Sequence, residues 1–181
     1  MSIYDEIAKH ASAGVLHRID PLGKDESVRH MYVSTSIWSL LEGPWESKKI
    51  ERRVGRLRAD LISFVKGDLI GVSMSPYKHE DARMGLLAEP KHQVWDIRSC
   101  DPNPGLRVFG RFADKDVFIG FTWRPRSVEW AKQKPLGGNY LEWEFEKLEC
   151  ENQWDSLFPN HPPKSGERLH EFVSKAFPVG A

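Results

Sequence analysis

The stretch from His92 to Arg126, HQVWDIRSCDPNPGLRVFGRFADKDVFIGFTWRPR, leaves the chain few choices of fold. It alternates with period two, which sends successive side chains to opposite faces of a strand. In the first strand Gln93, Trp95, Ile97 and Ser99 oppose His92, Val94, Asp96 and Arg98. In the second, Leu106, Val108, Gly110 and Phe112 oppose Arg107, Phe109 and Arg111; in the third, Val117, Ile119, Phe121 and Trp123 oppose Phe118, Gly120, Thr122 and Arg124. Asp101-Pro102-Asn103-Pro104-Gly105 cannot continue a strand, because the prolines fix φ and remove donors. Ala113-Asp114-Lys115-Asp116 is a polar turn of hairpin length. The pattern predicts a three-stranded antiparallel meander with one apolar and one partly cationic face. A helix has to cover the apolar face.

Residues 46–66, ESKKIERRVGRLRADLISFVK, supply that helix. Ile50, Val54, Leu57, Leu61, Phe64 and Val65 recur at spacings of three and four. Its outer ridge is basic. Lys48, Arg52 and Arg56 are spaced i,i+4, with Lys49 and Arg53 beside them, and Lys48–Lys66 holds seven basic residues against two acidic ones. Such a run solvates a helix face, or forms an electrostatic footprint for RNA phosphates or an acidic partner.

Upstream, residues 3–13 read as a short amphipathic helix, with Ile3, Ile7 and Ala11 on one stripe. Val28 to Val33 reads as a strand, and Ser34-Thr35-Ser36 caps a helix over Ile37 to Glu42 that Gly43-Pro44 ends. Leu69 to Met74 reads as another strand, and Ser75 to Pro90 as polar and irregular. Downstream, Ser127 to Lys134 suits one or two helical turns. Tyr140 to Cys150, YLEWEFEKLEC, alternates and predicts a strand with an acidic outer face; Tyr140 to Asp155 carries six acidic residues and one lysine. Glu167 to Phe177 is expected as a terminal helix. The acidic strand and the basic helix are candidates to neutralise each other.

The chain of 181 residues is expected to form a single domain, with a core over 28–130, an N-terminal helix and linker over 1–27, and a C-terminal extension over 131–181. Twenty-six basic and 26 acidic residues cancel, which argues against an obligate nucleic-acid binder. There is no signal-peptide pattern and no apolar run long enough to span a bilayer. Two cysteines, Cys100 and Cys150, with no CxxC, suit a cytoplasmic protein with free thiols. The seven histidines are scattered, and no dinucleotide, phosphate-loop or nucleophile-elbow motif occurs, so neither a metal nor a cofactor is expected.

The polar side of the meander gathers His92, Asp96, Arg98, Arg107, Arg111, Thr122 and Arg124, and Arg126 follows. Clustered arginines on a pleated face are costly unless the face is wet or meets anions. The guanidinium fork suits phosphate, and Trp123 and Trp130 offer stacking surfaces for bases. Three pieces of this region resemble motifs of the RelE/HigB/ParE toxin superfamily: Val94-Trp95-Asp96-Ile97-Arg98, Gly105-Leu106-Arg107-Val108-Phe109, and Trp123-Arg124-Pro125-Arg126-Ser127. The order of strand, helical hairpin and antiparallel sheet over about residues 28–130 is similar to that family as well.

The resemblance implies an α+β fold: a twisted antiparallel sheet packed on a helical hairpin, with a C-terminal strand and helix added. It implies a toxin that inhibits translation by cleaving mRNA, on or off the ribosome, without a metal and under the control of an antitoxin protein. Arg107 and Arg124 fall where family arginines stabilise the reacting phosphate; Arg98, Arg111, Arg126, Trp130, Arg52 and Arg56 would bind RNA. The family's lysines correspond to Val94 and Asp96, and its tyrosine to Trp130, which stacks but exchanges no proton. Cleavage through the 2′-OH needs a base and an acid as well as charge stabilisation, and arginine is a poor base. His92 and Asp96 are the candidates to fill those roles. The plainer readings are a hydrogen-bonded His92 at a strand entry, an Asp96 paired across strands with Arg107 or Arg98, and a core Trp95. The alternative function is a non-catalytic protein-binding module on the same fold.

Overall fold

The computed structural model of the chain describes residues 1–74, 82–87, 90–125 and 140–180, with only the backbone for 140–143. The predicted helix forms α3 (Lys48–Lys66). Its amino end is capped by Ser47, whose hydroxyl accepts from the Ile50 amide at 3.3 Å. Its carboxyl end stops at Gly67, which takes the left-handed conformation at φ 79 and donates back to Phe64 and Ser63. A side chain at Gly67 would also meet Val28 at 2.6 Å, so glycine is required on both counts. Before α3 come α1 (Ile3–Ser12), β1 (Leu16–Ile19), β2 (His30–Ser34) and α2 (Thr35–Glu42). After it come β3 (Ile70–Ser73), β4 (Met84–Leu86), β5 (Trp95–Ser99), β6 (Leu106–Asp114), β7 (Val117–Pro125), α4 (Tyr140–Leu157) and β8 (Ala176–Pro178).

The meander is present as β5, β6 and β7, but the sheet around it is larger than expected and mixed. Its order is β1-β2-β7-β6-β5-β4-β3-β8. The β2/β7, β3/β4 and β3/β8 pairs are parallel, and the other four are antiparallel. The expectation of a purely antiparallel sheet is therefore corrected. From β2 the chain crosses one face through α2 and α3, and β7 later pairs with β2 in parallel. The short strands β1 and β4 lay in segments with too few residues to show alternation.

Two cores result, one on each face. Val54, Leu57, Leu61 and Phe64 of α3 and Ile37 and Leu41 of α2 pack on Val33, Trp95, Ile97, Val108, Phe112 and Phe118. On the other face, Ile7 of α1 and Cys150, Trp154 and Phe158 in and after α4 pack on Phe109, Ile119 and Phe121. The face expected to be open and cationic is thus covered too.

The C-terminal region differs most from its expectation. Tyr140–Leu157 is a helix, not a strand. Period two over Tyr140 to Cys150 follows residues whose burial is inverted: Phe145 and Leu148 are exposed, while Glu146 and Lys147 are buried. The true stripe is Glu146, Cys150, Trp154 and Phe158 at i,i+4, and it begins with charged residues because it begins over arginines. No helix spans Glu167 to Phe177 either; a single 3-10 turn at Leu169–Glu171 is followed by β8. This tail passes round the β6–β7 hairpin. The Lys164 amide donates to Phe112, the Asp116 amide to Phe172, and the Ser174 amide to the Asp116 carboxylate. Phe172 and Val173 thereby enter the first core. The expected turns at Ser127 to Lys134 lie outside the described residues. No described helix is long and apolar enough to cross a membrane.

Candidate functional site

Strict alternation alone would not assemble the cationic face. On β7 it would put Thr122 and Arg124 on the side of Phe118, in the α3 core. A β-bulge prevents this. Phe109 pairs with Thr122 and Gly110 with Gly120, leaving Phe121 as the extra residue. Thr122 and Arg124 then share the face of Phe121, and Trp123 turns to the first core. Gly110 is what allows the bulge: a Cβ there would lie 2.0 Å from the Ile119 carbonyl oxygen. The result places Arg124 across from Arg107, and Arg107 across from Arg98.

Three carboxylates organise the basic groups. Asp96 is wholly buried, and Arg98 and Arg107 are each 5% exposed. Arg98 Nε donates to both Asp96 oxygens, at 3.0 and 2.9 Å, and Arg107 Nη1 donates to Oδ2 at 3.0 Å. Gly85 lies opposite Asp96, and a Cβ there would sit 2.7 Å from Arg98 Nη2, so the strand is bare where the guanidinium lies. Glu146 of α4 accepts from Arg124 Nε and from the Thr122 hydroxyl. Glu151, one turn further along, bonds His92 Nδ1 and lies 3.5 Å from Arg111 Nη2. Arg111 also donates to the His92 carbonyl and lies over the Trp154 ring at 5.9 Å. Burial pulls its pKa down, partly offset by Glu151.

The expected catalytic residues therefore fall into three groups. Asp96 pairs with Arg107 and Arg98, as in the plainer reading. His92 pairs with Glu151, and Arg124 with Glu146. The open surface that the arginines were expected to form is corrected: Arg98, Arg107 and Arg111 are buried, and of the described meander arginines only Arg124, with 49% of its side chain exposed, meets solvent substantially. Beside it is a cleft of about 390 Å³ lined by His92, Glu144, Phe145, Lys147, Leu148 and Glu151. Arg124 does not line this cleft; its guanidinium carbon lies 5.7 Å from the ring of Phe145, which does. Arg126 and Trp130 lie outside the described residues.

Glu146 and Glu151 are the residues that sequence reasoning missed. Their signal was there in the acidic run of Tyr140 to Asp155, but a strand reading turned it outward. Arg29, fully buried, was missed too. It donates to carbonyls of Phe64, Asp68, Ser174 and Lys175, tying the end of α3 to the C-terminal tail.

Arg52 and Arg56 stand apart on α3, on the opposite side of the sheet. Arg56 pairs with Asp60 at 3.3 Å, whereas Arg52, Lys48 and Lys49 are exposed without an ion-pair partner among the described residues. Lys48 and Lys49 sit in the first turn, at the positive end of the helix dipole, where each costs about 0.3–1 kcal/mol. The acidic run of α4 does not neutralise them, because its buried carboxylates are paired with the sheet.

No protein-family model, curated protein or solved structure matches the chain.

Proposed function

We propose that the chain is a non-catalytic protein-binding module whose frame resembles the RelE/HigB/ParE toxins. The frame is the succession of β2, the α2–α3 hairpin and the meander β5–β7, flanked here by four further strands. The observation that carries the non-catalytic reading is the burial of Asp96 between Arg98 and Arg107. A phosphate reaching Arg107 would have to displace a carboxylate already bonded in a site closed to water. That exchange uncovers a buried charge, which is costly. Asp96, wholly buried between two guanidiniums, is equally out of reach of a 2′-OH.

One observation favours the second reading, an RNA-cleaving toxin restrained by an antitoxin protein. His92 lines the cleft, Arg124 packs on Phe145 at its wall, and Glu151 orients the imidazole as an acid–base histidine requires. In that reading His92 and Arg124 act without Arg107 and Asp96. Tightly controlled expression separates the two. The protein-binding reading expects wild type, His92→Ala and Arg124→Ala to grow equally, with intact messages. Message cleavage by wild type that is lost in both variants would overturn it.

A further inference from the structure

We propose that the amino-terminal half of α3 is the docking face for an acidic helical segment of a partner protein. The inference rests on the protein-binding reading and names where that binding occurs. Three departures from local stability coincide there. Lys48 and Lys49 occupy the first turn of the helix, against its dipole, with Arg52 and Arg53 in the next turn. Lys48, Arg52 and Arg56, and likewise Lys49 and Arg53, stack like charges at i,i+4. Gly55 sits in mid-helix, exposed, with nothing within 4 Å of where its Cβ would be and no unusual backbone angle. A mid-helix glycine weakens a helix, and no contact among the described residues calls for one here. An outside partner accounts for all three. Its carboxylates meet the cations, and the bare helix at Gly55 admits its backbone closely.

No described residue meets this need. The ion pairs of the outer α3 face lie elsewhere or further along: Arg56 with Asp60, Arg58 with Glu42, Lys66 with Asp25. The buried acids of α4 are engaged on the other side of the sheet. Arg53 adds a buried Nε with no hydrogen-bond partner among the described residues. A protein fits better than RNA, because the outer face of this helical half carries no aromatic side chain on which a base could stack, and the chain has no net positive charge to gather phosphates.

The test uses the full chain and a fluorescein-labelled helical peptide of glutamate and alanine, with an oligouridylate of equal charge as the comparison. Fluorescence anisotropy should show the peptide binding more tightly than the RNA, and binding should weaken as salt rises. Lys48→Glu/Arg52→Glu should weaken peptide binding at least tenfold. Gly55→Trp should do the same without lowering the thermal unfolding temperature, since the added ring enters open space and the helix loses a glycine. Peptide binding that is unaffected by Gly55→Trp, or RNA that binds more tightly with the same dependence on Arg52, would overturn the docking face. Message cleavage dependent on His92 and Arg124 would instead remove the protein-binding reading, and it is read without any α3 variant.

Discussion

Asp96 holds two guanidiniums in a place where water cannot screen them. Such a cluster gains little over an apolar one, because desolvation offsets the attraction, but removing one member strands the others. Asp96→Asn should therefore destabilise the protein by about 3–5 kcal/mol in urea unfolding. Replacing Asp96, Arg98 and Arg107 together by leucine and two methionines should recover most of that loss. A single Asp96→Asn variant as stable as wild type would mean that the pairs hold nothing. Cys150 makes a second test at this scale. Burial lifts its thiol from 9.0 to about 12, so it stays neutral in the fold. Its contribution to stability is complete below the ordinary thiol pKa and is lost as pH rises from there toward 12, since the unfolded chain ionises first. At pH 8 in the native state iodoacetamide should modify Cys100, which is half-buried, and reach Cys150 only after denaturation. Mass spectrometry of the two cysteine peptides reads the outcome directly.

Among the elements, β7 and α3 each depend on one residue that is easily overlooked. Gly110 admits the bulge that turns Thr122 and Arg124 toward α4. Gly110→Ala should cost about 1–3 kcal/mol through overpacking and should release the Glu146 contacts. Faster amide exchange at the start of α4 would report that release, and unchanged exchange would show that the bulge does not position Arg124. Arg29 fastens the last turn of α3 to Ser174 and Lys175. Arg29→Met should leave those carbonyls unsatisfied, at a cost of about 3 kcal/mol, and free β8 from β3. The acidic helix α4 shows how an element can be concealed. Glu146 and Lys147 lie inside and Phe145 and Leu148 outside, so hydrophobicity there does not mark the buried face. Cys150, Trp154 and Phe158 betray the period of 3.6, but they only begin at the last residue of the alternating segment.

At the level of the whole molecule, the C-terminal region belongs to both cores. Trp154 and Phe158 close the face with Phe109 and Phe121, and Phe172 closes the face with Trp95 and Phe112. A chain ending at residue 139 should consequently lose cooperative unfolding and expose apolar surface on both faces of the sheet, seen as dye binding and aggregation. A soluble fragment with a sharp transition would show the extension to be dispensable. Charge is distributed by layer as well. Sheet arginines and α4 carboxylates neutralise each other on one side, while the cations of α3 stand toward solvent on the other. A net charge of zero conceals this asymmetry.

The meander, the α3 helix with its cap and stop, and the identity of the apolar face were legible because each rests on a local period and a local turn. Trp95 in the core and Asp96 in a cross-strand pair followed from the same alternation. The fate of the arginine face was not legible. It depended on a one-residue bulge at Gly110 and on a helix some twenty residues downstream, and neither leaves a periodic signature. Alternation says which side chains share a face, but whether that face meets water, a phosphate or the protein's own carboxylates is decided by long-range packing. Here packing placed Glu146 and Glu151 over it, and so left the exposed basic charge on α3.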